Sequence, residues 1–199
     1  MFKLTFAFGI IGLLIFIKLI TSVQRLLKND EGAYIHLLMA LMYVCWLPIP
    51  IVSFIKFQKY DFLIIGAIFG TLSLVIGIMV MILQASHLSY SKKEREEDPE
   101  FWNRADTWVL NGLIGSQAEL LMGALKGLWI IIMTVSFILE RDIVLSLFGV
   151  VFALLNSVYF LMLYNDAFKR ESKIKLNMLV INIECVIWYT MMAIIILIK

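Results

Sequence analysis

The sequence predicts an all-α integral membrane protein, with six transmembrane helices and an amphipathic interfacial helix between spans three and four. Three observations carry this reading. The 199 residues are 62% hydrophobic and only 16% charged, and their mean hydropathy is +0.93, far from the charge content of a soluble domain. Six apolar runs reach the roughly 20 residues that a helix needs to cross a hydrocarbon core of about 30 Å. The runs also lack strand-like alternation, so helices are the way for each segment to satisfy its own backbone hydrogen bonds in lipid. The predicted spans are 4–22, 34–55, 62–84, 116–139, 143–164 and 176–198, within a single domain covering 1–199.

The first run, MFKLTFAFGIIGLLIFIKLI, resembles a signal peptide in having one lysine before a long apolar core. It is long for a signal core, and the following TSVQRLLK carries no small-x-small cleavage pattern, so it reads as a retained span. The second contains Pro48 and Pro50 in WLPIPIV. Each proline removes an amide donor and crowds the preceding turn, which predicts a kink.

After the third span comes the sizeable polar loop, SHLSYSKKEREEDPEFWNRADTWVL, residues 86–110. SKKEREED mixes both signs and reads as a solvated extension of the third span. Asp98-Pro99 is a helix start, an N-cap residue with proline at the first helical position. From there Phe101, Trp102, Ala105, Trp108 and Val109 recur at helical spacing, with polar residues opposite. This predicts an interfacial helix over 99–111, its aromatic side in the headgroup layer. Thirty-three residues separate Asp106 from Glu140, about 50 Å of straight helix, so the segment must bend, and Gly112 and Gly115 are the expected elbow.

Lysine and arginine placement predicts orientation. Arg25, Lys28, Lys92, Lys93, Arg95, Arg104, Lys169, Arg170, Lys173 and Lys175 lie on one side; Lys3, Lys56, Lys59, Arg141 and Lys199 lie on the other. Ten against five predicts that the first set is cytoplasmic, in a multi-pass protein of the cell membrane with both termini outside.

The segment NGLIGSQAELLMGALKGLW, residues 111–129, places Glu119 and Lys126 among four glycines. On a helical wheel Gly112, Gly115, Ser116, Glu119, Gly123, Lys126 and Gly127 share one stripe. Gly123-x-x-x-Gly127 has the spacing of a close-packing motif, so this stripe is expected to face into the bundle as a helix-packing face. Counted from Leu139, Glu119 falls at the interface beside Phe101, Trp102 and Trp108, whereas Lys126 lies about 10 Å deep. Glu184 in the sixth span, LNMLVINIECVIWYTMM, lies about 12 Å deep from the same side. A short carboxylate snorkels poorly, and a charge in lipid costs about 2.5–3.5 kcal/mol on insertion scales, so Glu184 needs a partner or a proton. Its predicted partner is Lys126.

Other polar residues crowd the same end: Lys18, Tyr34, His36, Gln84, His87, Asn156, Ser157, Tyr159, Asn165, Asn177 and Asn182. The opposite halves offer isolated hydroxyls such as Ser53, Thr134, Ser136 and Thr190. A cytoplasm-facing polar site comprising Lys126, Glu184, Asn156, Tyr159 and Asn182 is one reading; ordinary interfacial residues near loops are the other. Glu184 is the residue that the second explains worst.

Enzyme chemistry has little to stand on. His36 and His87 are the only histidines and fall in no metal-ligand spacing, and there is no G-x-S-x-G turn or phosphate-binding glycine loop. Cys45 and Cys185 lie in apolar runs and read as core residues; Asp61, Asp142 and Asp166 sit at span ends. No cofactor, metal or nucleic acid is implied. The expected partners are the lipid bilayer and, beyond it, another copy of the chain or a second membrane protein. Three classes follow: a non-enzymatic accessory, regulatory or immunity-type protein acting through helix packing, expected first; a transporter or permease component using the polar pocket; and a small lipid-modifying enzyme.

Overall fold

The computed structural model describes residues 1–167 and 178–199, and among these the chain is helical throughout, with turns between. In order the elements are α1 (Phe2–Lys28), α2 (Gly32–Trp46), α3 (Pro48–Lys56), α4 (Leu63–Glu94), α5 (Pro99–Trp108), a π-helical turn (Val109–Leu113), α6 (Ser116–Leu139), α7 (Ile143–Ala167) and α8 (Met178–Ile198). Five helical stretches are long and apolar enough to cross a membrane: Phe2–Lys28, Gly32–Lys56, Leu63–Glu94, Pro99–Leu139 and Ile143–Met162. Asn182–Ile198 is a shorter apolar helix among the described residues, and the start expected for the sixth span at 176 lies outside them. This is an all-α membrane protein.

The prolines act where the sequence places them. The second span divides at Leu47 into α2 and α3, with Pro48 in the first turn of α3 and the Leu47 N–H reaching back to Val44 O at 3.2 Å. The third span differs from the expected 62–84 because its helix continues through SKKE to Glu94. A 32-residue helix is about 48 Å long at the usual rise, so its charged end projects well past the hydrocarbon layer, where nothing penalises it.

Small residues set the helix approaches. Side-chain carbons added at Gly66 and Gly70 of α4 would strike Trp129 of α6 or its neighbour Ile132, the nearest contacts lying at 2.7 Å. On α1, Gly12 leaves the space taken by the Trp46 indole, whose Nε1 donates to Gly9 O at 3.3 Å. Helices α1, α2, α4, α6 and α7 pack in sequence, each on the next, and α8 returns to α1 and α3.

The core is centred on α8. Trp188, Tyr189, Met192 and Ala193 are fully buried. Tyr189 stacks on Trp46 at 5.0 Å, Trp188 meets Trp129 edge-on at 5.8 Å, and Phe148 and Phe152 of α7 lie against Trp188. One stripe of α8, including Ile183, Ile187, Ile194 and Leu197, stays exposed, as expected for side chains facing lipid. Ser53, Thr134 and Ser136 bond to carbonyls of their own helices, which satisfies them without forming a site.

Asp98 caps α5, accepting from Phe101 N at 3.0 Å. The helix is shorter than the expected 99–111 because the backbone widens into the π-helical turn after Trp108. Ile114 N donates to Val109 O at 3.0 Å, and the chain then bends through Gly115 into α6. The elbow therefore comprises a π turn and a glycine. Nor do the three aromatics share one role: Trp102 packs on Tyr90 at 5.4 Å, while Phe101 and Trp108 are exposed. Polar contacts bind α5 to α4, because His87 Nε2 meets Asp106 Oδ1 at 2.9 Å and Arg95 donates to Asp106 Oδ2 at 2.7 Å. Arg95 also reaches Asp30 in the α1–α2 turn at 3.1 Å.

Candidate functional site

Lys126 on α6 and Glu184 on α8 form an ion pair in the bundle interior, with the lysine side chain 2% and the glutamate 8% exposed. The second carboxylate oxygen, Oε1, accepts from Asn156 Nδ2 of α7 at 2.9 Å; the same amide donates to Phe152 O at 2.8 Å. The Tyr159 ring lies 5.4 Å from the Lys126 ammonium, at cation–π distance. A charge moved from water to a protein interior costs several kcal/mol unless paired and hydrogen-bonded. Here both carboxylate oxygens have donors and the ammonium has a carboxylate and an aromatic face.

Helical spacing explains the assembly. Asn156 and Tyr159 are three apart on α7 and so share a face. That face approaches α6 at its two glycines: a carbon added at Gly123 would lie 2.7 Å from the Tyr159 ring, and one at Gly127 would lie 3.1 Å from Asn156 Cβ. The Gly123–Gly127 spacing thus lets α7 come close enough to deliver its amide and its ring to the ion pair.

Beside the pair is a cavity of about 500 Å³, at the end of the bundle that carries the 86–110 loop. Lys126 forms part of its wall; Glu184 and Asn156 lie behind. Glu119, Gln84, His36 and Asn182 supply further polar wall, and Tyr43, Cys185 and several methionines supply much of the remainder. Leu110 and the exposed Asn111, from the π turn, stand at its edge.

Glu119 does not lean outward from the bundle. It is half-buried, lines the cavity, and accepts from Gln84 Nε2 of α4 at 3.3 Å. The stripe drawn on α6 therefore divides: Glu119, Gly123 and Lys126 border the cavity, while Gly127 packs on α7. Gly112 is exposed, and an added carbon there would meet Trp108 of its own segment at 3.7 Å, an ordinary contact, whereas Gly115 closes the elbow against its own chain, where an added carbon would collide with the Leu110 carbonyl. Neither is a helix-packing glycine. The side chain of Ser116, like all of Asn177, lies outside the described residues.

Lys126, Glu184, Asn156 and Tyr159 are thus brought together, and Asn182 joins them only through the cavity wall. Sequence reasoning missed the Gln84–Glu119 bond and the cavity-lining places of Tyr43, Cys185 and Asn111. One signal was present: Asn182 and Cys185 are three apart on α8, so a polar residue and a thiol share a helical face.

Among the described residues, no three His, Cys, Asp or Glu side chains gather as metal ligands would. No family model, curated protein or solved structure matches the chain.

Proposed function

We propose that this protein is a non-enzymatic, carrier-type membrane protein that takes a small amphiphilic molecule into the cavity beside Lys126. The observation that carries the reading is the cavity itself, about 500 Å³ inside a helical bundle with a polar wall at one end. Its size falls in the range of small-molecule sites, which are mostly apolar with a few convergent polar groups. A bundle acting only through outward helix packing has no use for a polar interior space, and this favours the transporter-component class over the accessory one. Catalysis finds less support: among the described residues the wall's nucleophile candidate is Cys185, and the amine beside it, Lys126, is committed to Glu184.

The basic residues flanking the cavity end support a reading in which that end faces the cytoplasm, both termini lie outside and the chain sits in the cell membrane. The ion pair supports the reading in a second way. A fixed, internally neutral polar floor lets a ligand approach without meeting an unpaired charge at depth.

Ligand-dependent stabilisation of the purified protein tests this. Binding at a hundred times Kd raises stability by about 2.7 kcal/mol, readily seen as a higher Tm. Amphiphiles should raise the Tm of the wild type but not that of Met39→Trp, whose indole would occupy the cavity. If no amphiphile shifts the Tm, or if both proteins respond alike, the carrier reading is wrong. An added cysteine at Glu96, labelled from one side of sealed vesicles, tests the orientation.

A further inference from the structure

The polar groups of the cavity wall are unequal in their hydrogen-bonding commitments. Lys126, the wall's lysine, is committed to Glu184. Glu119 accepts from Gln84 and has no cation within ion-pair distance among the described residues. Gln84, only 3% exposed, spends its amide N–H on Glu119, and its carbonyl Oε1 is buried with no partner among the described residues. His36 Nδ1 lies 2.8 Å from Gly32 O, a contact in which the nitrogen must donate, and in this Nδ1–H tautomer Nε2 is an acceptor. The wall at this end therefore offers a carboxylate and an imidazole nitrogen, both acceptors. Glu119 and Lys126 are seven positions apart, about 10 Å along the helix, which keeps the acceptor group apart from the committed lysine.

A buried acceptor without a donor is costly, and a carboxylate among apolar side chains more so. The group that answers both is a cation carrying several N–H bonds. We propose that the ligand is an amphiphile with a protonated primary amine, Glu119, held in place by Gln84, being its counter-ion and His36 Nε2 accepting a further N–H bond. The methionines and Tyr43 take the apolar chain, flexible thioethers being suited to tails of variable shape. This rests on the carrier reading, since it assigns the chemistry of that same cavity.

Binding of radiolabelled decylamine to protein in phosphatidylcholine nanodiscs, with empty nanodiscs subtracted, tests it. Unlabelled decylamine should compete at least tenfold better than 1-decanol or decanoate. This head-group ranking requires only the wild type. Glu119→Gln should weaken amine binding at least tenfold, and Gln84→Met several-fold, with decanol competition unchanged in both. Equal competition by decanol, a preference for decanoate, or wild-type amine affinity in Glu119→Gln would overturn the amine inference while leaving cavity binding intact. Absence of saturable binding by the amine, the alcohol and the carboxylate would remove the carrier reading along with it. Nanodiscs containing phosphatidylethanolamine separate two sources of the same head group. Loss of decylamine binding there identifies a membrane aminolipid, and unchanged binding identifies a free amine.

Discussion

Asn156 holds Glu184 from a second side: its amide donates to Oε1 at 2.9 Å while Lys126 occupies Oε2, so one carboxylate on α8 ties α6 and α7 to it. Removing either partner of a buried pair strands the other. Glu184→Leu should destabilise the protein by about 3–5 kcal/mol, and the double variant Lys126→Met/Glu184→Leu should recover most of that loss. Asn156→Leu should cost about 1.5–3 kcal/mol. Reversible unfolding in mixed micelles measures all three; a double variant no more stable than Glu184→Leu would show that the two residues do not act as a pair. Glu184→Gln should also abolish ligand transport in proteoliposomes if the pair forms the floor of a carrier.

The glycines of α6 should not respond alike. Gly123→Ala meets the Tyr159 ring at 2.7 Å, a rigid neighbour, whereas Gly127→Ala meets Asn156 Cβ at 3.1 Å and Phe160 at 3.2 Å. Overpacking typically costs about 1–3 kcal/mol, with Gly123→Ala at the upper end and Gly127→Ala lower. Gly112→Ala meets Trp108 at 3.7 Å, an ordinary contact, and should be neutral within about 0.5 kcal/mol. The same unfolding assay ranks them, and a harmful Gly112→Ala would contradict the packing described.

Asp106 should control the attachment of α5. Its two oxygens take His87 and Arg95, and Arg95 continues to Asp30. Asp106→Ala should cost about 1.5–3 kcal/mol and, more diagnostically, should expose residues 86–110 to proteases added on that side. Asp30→Ala, whose carboxylate is more exposed, should have a smaller effect. Equal cleavage of wild type and Asp106→Ala would indicate that the aromatic contacts of Trp102 hold α5 alone.

The opposite end carries a pH-dependent contact. Lys199 donates to the Asp142 carboxylate, which also accepts from Leu145 N at 3.0 Å at the start of α7. These bonds, the lysine's first, hold the Asp142 carboxyl below its usual range. A depressed folded-state value means that this stabilisation is present above the ordinary aspartate pKa of about 3.9 and is lost as pH falls through the lowered value. The hydrogen-exchange protection factor at the first turn of α7, corrected for the pH dependence of intrinsic exchange, should therefore fall on acidification below about pH 4 in the wild type. In Asp142→Asn it should be low already at neutral pH and change little.

Much of this architecture is legible in the sequence because lipid leaves few alternatives. Apolar runs must be helices, Pro48 and Pro50 must interrupt one, and a deep glutamate must find a partner, which Lys126 at matching depth supplies. The fate of Glu119 was not legible. A wheel places it on an inward stripe and a depth count places it at the interface, but only the packing of α4 against α6 brings Gln84 to it. Likewise glycine spacing alone does not distinguish Gly123 and Gly127, which face another helix, from Gly112 and Gly115, which serve the bend. Helix pairing is long-range information, and the local pattern does not contain it.

The central place of α8 has a consequence for how the chain is made. Lys126 is synthesised and delivered to the bilayer 58 residues before Glu184, so for that interval the ammonium lacks the carboxylate that pairs with it in the finished bundle. Tyr159 and Asn156 come next, offering a ring and an amide, and the carboxylate arrives with the segment that also brings Trp188 and Tyr189. Neutralisation of the lysine and filling of the core are thus a single late event, and a nascent bundle awaiting α8 would display an unpaired cation and an unfilled aromatic slot, the features by which membrane quality control could tell an unfinished chain from a finished one.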